Sequence, residues 1–245
     1  STDTYTSYDF GAPISEAGLN TVNLYEAKTL NTFLKSFDFT ATDRSDDHDI
    51  TASDEEYLYK VRHIKSDPKQ QWVFCRNLGE EEVSITVNEN PITLHAHDMV
   101  ILPCNIQLAC GLTAVWCNSE LIYQDHRCLV VKGDRSVNLK LTGLAGDETT
   151  HADANDVSID QQGNAVELIC PELNPDDHRC ITLGKLTVLV LGRQLLDTLW
   201  LEKNNLLIAG PELKLGPGEY GLAPDTSQVL QFDGRFNVQT VDLFH

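Results

Sequence analysis

Residues 1–37 predict one strand followed by one helix, and this pair limits what the chain can fold into. The strand begins at Tyr5 and ends at the break formed by Gly11, Ala12 and Pro13. A lone strand of a parallel sheet can neither satisfy its backbone N–H and C=O groups nor bury both of its faces. The helix, from about residue 20 to residue 37, carries one apolar face, formed by Leu24, Ala27, Leu30, Phe33, Leu34 and Phe37. We therefore expect this unit to belong to a larger fold, with the apolar helix face covering another element.

Residues 38–56 are polar and acidic, with few apolar positions and no period. This composition predicts a solvated linker or surface loop. The spacing of the aspartates is weakly suggestive of calcium, but the segment lacks the glycine turn and terminal glutamate of an EF-hand loop. We favour the linker over a calcium site.

From residue 57 onward, short alternating apolar runs are separated by turns, and no internal repeat has a fixed period. Val83, Ile85 and Val87 share one face of a strand, and residues 88–91 predict a hairpin turn after it. The continuous apolar run at residues 186–191 predicts a strand buried on both faces. The spacing of these runs is typical of an antiparallel β-sandwich.

The predicted fold class is therefore mainly β, with antiparallel β-sandwich domains preceded by the single strand–helix unit. The predicted segments are the strand–helix unit at 1–37, an acidic linker at 38–56, a β-sandwich domain at 57–145 and a second β-rich region at 146–245.

The composition argues against some partners. A formal charge of −19, with 18 lysines and arginines scattered along the chain, disfavours nucleic acid as a partner. No apolar run reaches membrane-spanning length and no signal peptide is recognised, so we expect no membrane partner. The localisation stays open, with a slight preference for a bacterial origin or a reducing compartment.

Seven cysteines occur, an odd number, and no pair has the spacing of a zinc ribbon or a redox motif. Most lie in apolar, strand-like surroundings, which favours buried free thiols. A disulfide between Cys170 and Cys180 remains an alternative.

The candidate metal and cofactor motifs are weak. His95 and His97 share a predicted strand face, but Asp98 is the only carboxylate close to them in sequence. No phosphate-binding glycine loop and no nucleophile–base motif is recognised. We expect no metal and no cofactor. The three tryptophans are expected in the core rather than stacked on a sugar, and they are Trp72, Trp116 and Trp200.

Residues 6–18 read Thr-Ser-Tyr-Asp-Phe-Gly-Ala-Pro-Ile-Ser-Glu-Ala-Gly. This segment resembles the last barrel strand and the following loop of family 35 glycoside hydrolases, the retaining β-galactosidases. Weaker similarities follow in the family's order, at residues 25–30, 93–94, 98–103, 119–122 and 186–213. The resemblance implies that residues 1–37 are the last β/α unit of a (β/α)8 TIM-like barrel, followed by β domains.

A retaining glycosidase needs two carboxyl groups about 5–5.5 Å apart. In the family both glutamates lie on earlier barrel strands, so the resemblance implies no catalytic residue in this chain, and Glu16 is expected to be structural. Tyr8 and Phe10 are the predicted substrate-binding residues, on one side of the strand. Phe10 occupies the position of a family tyrosine that donates its hydroxyl to galactose, which puts that contact in doubt.

The resemblance implies the C-terminal part of a β-galactosidase-like enzyme, which braces the barrel and lines one side of the sugar site. Its expected partners are a catalytic barrel portion or partner chain and a galactoside or other carbohydrate. For the localisation, the resemblance implies a bacterial, lysosomal or secreted protein. Two alternatives stay open: a non-catalytic carbohydrate-binding or adhesion module, and one subunit of a processed two-chain assembly.

Overall fold

The computed structural model describes residues 12–14, 21–46, 48–145 and 148–200, together with the backbone of the strands that follow. By backbone contacts the chain divides into two units. The first combines Ser1–Phe33 with Leu196–His245, and the second is Leu34–Leu195.

In the part of the chain that the structure describes, two α-helices, α1 (Val22–Ser36) and α2 (Arg193–Asp197), and a short 3-10 helix (Phe39–Ala41) accompany a large number of strands. The strands that begin in the first half of the chain are β1 (Thr42–Arg44), β2 (Leu58–Ile64), β3 (Asp67–Arg76), β4 (Val83–Val87), β5 (Asn90–Leu94), β6 (Met99–Gln107), β7 (Thr113–Cys117) and β8 (Leu121–Gln124). Those up to the end of the second unit are β9 (Cys128–Lys132), β10 (Val137–Thr142), β11 (Thr150–Ala152), β12 (Ser158–Gln162), β13 (Ala165–Cys170), β14 (His178–Leu183) and β15 (Leu186–Leu191). The last are β16 (Leu199–Glu202), β17 (Asn205–Ala209), β18 (Lys214–Gly216), β19 (Glu219–Gly221), β20 (Gln228–Phe232) and β21 (Val238–Asp242).

The second unit is built on an eight-stranded sheet in the order β1-β2-β3-β6-β7-β10-β13-β12. All of its neighbouring strands are antiparallel. Along β10, Val137, Leu139 and Leu141 are buried, and the residues between them are partly exposed. This period of two is the pattern expected when one face of a strand packs against other protein layers.

A five-stranded sheet, in the order β11-β14-β15-β9-β8, forms the other large layer of this unit. Only β9 and β15 pair in parallel in it. All six residues of β15 are buried, which confirms the prediction of a strand buried on both faces at 186–191. The mainly β, antiparallel architecture predicted from the sequence is confirmed, and the two sheets are consistent with a β-sandwich.

The β4–β5 hairpin covers part of the eight-stranded sheet. Its turn residues Asn88 and Glu89 have φ values of 47° and 64°, the left-handed pair of a type I′ turn. The predicted hairpin turn is therefore confirmed. The hairpin contributes Ile85, Val87, Ile92 and Leu94 to a buried apolar cluster whose members from the sheet include Val61, Val73, Cys75, Leu102 and Trp116.

The segment predicted as a linker, 38–56, is tied into the sheet. It contains the 3-10 helix and β1, which pairs with β2. Farther along, Ile50 is buried in the cluster beneath the hairpin and Ala52 forms a bridge with Val87. Most of the described residues in this segment are exposed, as expected for a solvated segment. Backbone pairing and the buried Ile50 nevertheless anchor it, which its acidic composition did not predict.

β6 continues through Pro103 to Gln107, and its pairing with β7 begins at Cys104, after the residue that lacks an N–H. The sheet also runs across the predicted boundary at 145/146, since β12 and β13 join it through β10.

The first unit contains most of α1 and a four-stranded antiparallel sheet, β16-β17-β20-β21, with a separate β18–β19 pair. The helix begins and ends close to the predicted bounds. On its apolar face Phe33 is buried, whereas Leu30 is 48% exposed, so the expected burial of the whole face is only partly met. Among the described residues, none of the helices is both long and apolar enough to span a membrane.

Candidate functional site

The predicted substrate-binding residues Tyr8 and Phe10 lie outside the described residues, as does Glu16. The barrel strand that the sequence predicts around them lies there as well, except for Ala12, Pro13 and Ile14. Their roles therefore stay predictions.

A group of five charged side chains in the second unit is largely buried, with Arg135 4% exposed and the other four 14–18% exposed. It consists of Asp98, Glu120, Lys132, Asp134 and Arg135, and we call it the charge cluster. The Lys132 Nζ lies 3.1 Å from Glu120 Oε2 and 3.0 Å from Asp134 Oδ2. The Arg135 guanidinium lies 2.9 Å from Asp98 Oδ2 and 3.3 Å from Asp134 Oδ1. Each carboxylate thus contacts at least one cation.

The cluster joins elements that are far apart in the sequence. Arg135 donates to the carbonyl of Thr93 in β5, and Glu120 accepts from the backbone N–H of Ile101 in β6. Asp98 accepts from the backbone N–H of His95. The cluster therefore connects the hairpin, the turn before β6 and the end of β9.

The charge cluster does not have the properties of a glycosidase carboxyl pair. Burial alone would raise the pKa of Asp134, but the charges of Lys132 and Arg135 outweigh it and hold the pKa below its ordinary value. Burial likewise opposes the positive charge of Lys132, and Glu120 and Asp134 outweigh it and raise its pKa. A general acid needs a raised carboxyl pKa instead. We interpret the cluster as a structural ion network.

The two histidines considered for a metal do not share a strand face. β5 ends at Leu94, and His97 lies in a turn with a φ of 55°. His95 Nδ1 lies 2.9 Å from Glu82 Oε2, and His97 Nε2 lies 3.1 Å from Glu80 Oε2. The predicted arrangement is wrong because a turn replaces the strand. In the described part of the chain, no three histidine, cysteine or acidic side chains are grouped as metal ligands.

Two tryptophans lie in the core, as expected, with Trp72 0% and Trp116 3% exposed. Trp200, in the first unit, is only partly buried. The ammonium group of Lys28 lies 4.3 Å from the centre of its ring and donates to the carbonyl of Asp197. Burial lowers the pKa of Lys28 to about 8, against the charge of Asp197, which raises it. Lys28 therefore contacts a face of the Trp200 ring, where a stacked sugar would have to lie.

A groove crosses the outer face of the eight-stranded sheet, and we call it the sheet groove. Directly opposed residues on neighbouring strands line up along it, and in order they are Cys104, Trp116, Lys140, Glu167 and Asp160. Opposed residues of an antiparallel sheet point to the same face. The hairpin turn covers the Cys104 end, and the Asp160 end is open.

The sheet groove has two parts, which share Val115 and Lys140. The first, near the hairpin turn, has a volume of about 270 Å³ and is lined by Asn88, Asn90, Cys104, Asn105, Val115, Trp116 and Lys140. The second, of about 330 Å³, is lined by Val115, Lys140, Leu141, Thr142, Asp160, Gln162, Ala165, Val166 and Glu167.

The sequence analysis did not identify these groove residues. The one signal in the sequence for these residues is the alternation along β10, which places Lys140 on the opposite face of the strand from Leu139. Which residues lie beside Lys140 depends on strand order, and its contact Asn90 is 50 positions away in the sequence.

A third depression lies at the edge formed by β1 and β2. Its volume is about 350 Å³, and its lining includes Arg44, His48, Glu55 and Tyr59. Tyr59 is the extra residue of a β-bulge and is 49% exposed, with the Arg76 guanidinium 4.2 Å from its ring centre.

No model of a known protein family matches this sequence, and neither does any curated protein.

Proposed function

We propose that this chain is the C-terminal part of a β-galactosidase-like glycoside hydrolase, in which it braces the catalytic barrel and lines one side of the sugar site. In this proposal the hydrolysis of terminal β-galactosides is carried out by polypeptide that supplies the two catalytic glutamates. Tyr8 and Phe10 form the wall that this chain contributes to the sugar site.

The observation that carries the proposal is the ordered series of motifs, led by residues 6–18. Three of the later motifs fall on strands of the second unit: residues 98–103 run into β6, residues 119–122 into β8, and residues 186–191 form β15. The antiparallel β architecture agrees with what the resemblance implies for the region after the barrel. The ion-paired carboxylates of the charge cluster also suit a bracing role better than a catalytic one.

The experiment compares two preparations on nitrophenyl-β-galactoside. One is the recombinant chain, and the other is the assembly captured from its native source through a tag on this chain, with its intact mass measured. We expect turnover by the native assembly and none by the recombinant chain. Robust turnover by the recombinant chain, or a native assembly that lacks galactosidase activity, would contradict the proposal.

The variant Phe10→Tyr examines the sugar-site wall in the native assembly. It returns a hydroxyl to the position where the resemblance implies a contact with galactose. We expect a change of several-fold in kcat/KM for the galactoside, with Tyr5→Phe as the matched control. Equal values for Phe10→Tyr and the unmodified assembly would remove Phe10 from the site.

A non-catalytic carbohydrate-binding module is the second candidate, because the sheet groove offers polar side chains on an open sheet face. Binding of glycans by the recombinant chain, with a native assembly of the mass of this chain alone, would favour it over the enzyme part.

A further inference from the structure

We propose that the sheet groove is a binding site for a short neutral oligosaccharide. This inference does not rest on the sugar site of the enzyme part proposed first, because the groove is formed within Leu34–Leu195, and it gives the ligand class of the second candidate, the carbohydrate-binding module.

An unpaired buried donor on a residue that lines the groove is the first observation. Trp116 is 3% exposed and lines the part of the groove nearest the hairpin. Its indole Nε1 is buried and has no hydrogen-bond partner among the residues that the structure describes. A buried N–H without a partner is unfavourable, so a ligand or water oxygen that accepts from it gains affinity.

Three asparagine side chains surround this part of the groove, namely Asn88, Asn90 and Asn105. An amide group both donates and accepts hydrogen bonds, as a sugar hydroxyl does. Cys104 lies between two of them, since Asn88 hydrogen bonds to its thiol and the Asn105 amide lies 3.7 Å from its sulfur. Part of this capacity is used within the chain, since Asn88 Oδ1 accepts from the Thr51 N–H and the Asn90 amide donates to the carbonyls of Val87 and Asn88. In the proposal, ligand hydroxyls bind at the amide positions that these bonds leave.

The backbone at two of these asparagines is left-handed. Asn88 has a φ of 47° in the hairpin turn, and Asn105 has a φ of 57° inside strand β6. A left-handed residue within a strand is costly unless the surrounding structure imposes it, and such residues occur often at binding sites. At Asn105 this conformation coincides with a side chain that lines the groove.

Lys140 connects the two parts of the groove. Its Nζ donates to Asn90 Oδ1 over 2.9 Å and lies 3.9 Å from Glu167 Oε1. The second part of the groove contains two carboxylates that each accept a hydrogen bond from a side-chain amide. Glu167 accepts from the Asn138 amide, and Asp160 accepts from the Gln162 amide. In the proposal, the hydroxyl groups of successive sugar rings meet amides at one end of the groove and acidic acceptors at the other.

Charge and size exclude other ligand classes. A phosphate or nucleic-acid site needs arginines or several free cations, whereas Lys140 already has two acceptors and the second part carries Asp160 and Glu167. A large apolar ligand would need a large apolar cleft. The volume of each part of the groove is near the lower end of the usual range for ligand pockets, about 300–1,000 Å³. Val115, shared by both parts, provides a small apolar surface for the C–H face of a sugar ring.

The experiment is a glycan array with the recombinant chain, followed by calorimetry with the best oligosaccharide, using lactose and cellobiose as standard probes. The variants Asn90→Ala and Lys140→Met remove the two central polar groups. Lys65→Met is the matched control, because Lys65 is an exposed lysine outside the groove. Circular dichroism and thermal unfolding establish that each variant is folded.

We expect the affinity of the native sequence to fall at least tenfold in Asn90→Ala and in Lys140→Met, and to stay unchanged in Lys65→Met. Absence of glycan binding by the native sequence would overturn the inference. Binding that the folded groove variants retain would also overturn it. The native-source galactosidase assay and Phe10→Tyr measure a different site, so the two proposals can fail separately.

Discussion

The guanidinium of Arg135 donates from Nη2 to Asp98 Oδ2 over 2.9 Å, and only 4% of the Arg135 side chain is exposed. The two residues are 37 positions apart in the sequence. A buried pair of this kind contributes little net stability compared with a well-packed apolar pair, but removing one partner leaves an unpaired charge in the interior.

Arg135→Met therefore tests the charge cluster. We expect a loss of about 3–5 kcal/mol in the free energy of unfolding, because Asp98 and Asp134 lose a buried cation. Urea unfolding followed by circular dichroism measures it. Lys65→Met is the control, since the Lys65–Asp43 pair spans 3.7 Å with both side chains more than half exposed and is worth about 0–1 kcal/mol. Equal losses in the two variants would contradict the structural role of the cluster.

The pH dependence of stability follows from Asp134. Its pKa in the folded chain lies below the ordinary value of 3.8, so the unfolded chain binds the proton more readily. Ionised Asp134 therefore stabilises the fold above pH 3.8, and this contribution is lost as the pH falls through the lower folded value. Asp134→Asn should be less stable at neutral pH and should lose less stability on acidification. Urea midpoints over this pH range measure both effects, and parallel curves for the two proteins would refute the prediction.

Glu89→Gly should stabilise the hairpin. Glu89 is exposed at the second central position of the type I′ turn, with a φ of 64° that glycine adopts without a steric penalty. We expect a gain of about 0.5–1 kcal/mol in the free energy of unfolding. Glu89→Val, which is β-branched, is the opposite control and should destabilise. A loss of stability in Glu89→Gly would show that the Glu89 side chain contributes more than its backbone conformation costs.

The reactivity of the thiols should follow their exposure. All seven cysteines are free, and only Cys110 and Cys180 are partly exposed. Burial raises the pKa of Cys75 and of Cys117 to about 12, so neither forms the reactive thiolate at neutral pH. Iodoacetamide on the native protein should label Cys110 and Cys180 first, and the other five only after unfolding, as mass spectrometry measures. The alternative is a disulfide between Cys170 and Cys180. It would lower the native mass by two hydrogens relative to the fully reduced chain, and both cysteines would stay unlabelled after unfolding without reductant.

Local features were predictable from the sequence. The alternation of Val83, Ile85 and Val87 predicted a strand with one buried face, and Ile85 and Val87 are buried. The turn after it could be predicted because asparagine tolerates a left-handed backbone. The composition of residues 38–56 did not predict the pairing of β1 with β2 or the burial of Ile50, because both depend on distant strands rather than on local composition.

The sequence by itself determined that this chain forms antiparallel strands with buried and exposed faces, because that pattern depends on side chains one or two positions apart. Only the tertiary structure decided that Arg135 meets Asp98 and that Lys140 meets Asn90. Both contacts depend on the order in which strands pair, and strand order is set by the burial of whole sheet faces rather than by neighbouring residues in the chain. The charge cluster and the sheet groove follow from that order.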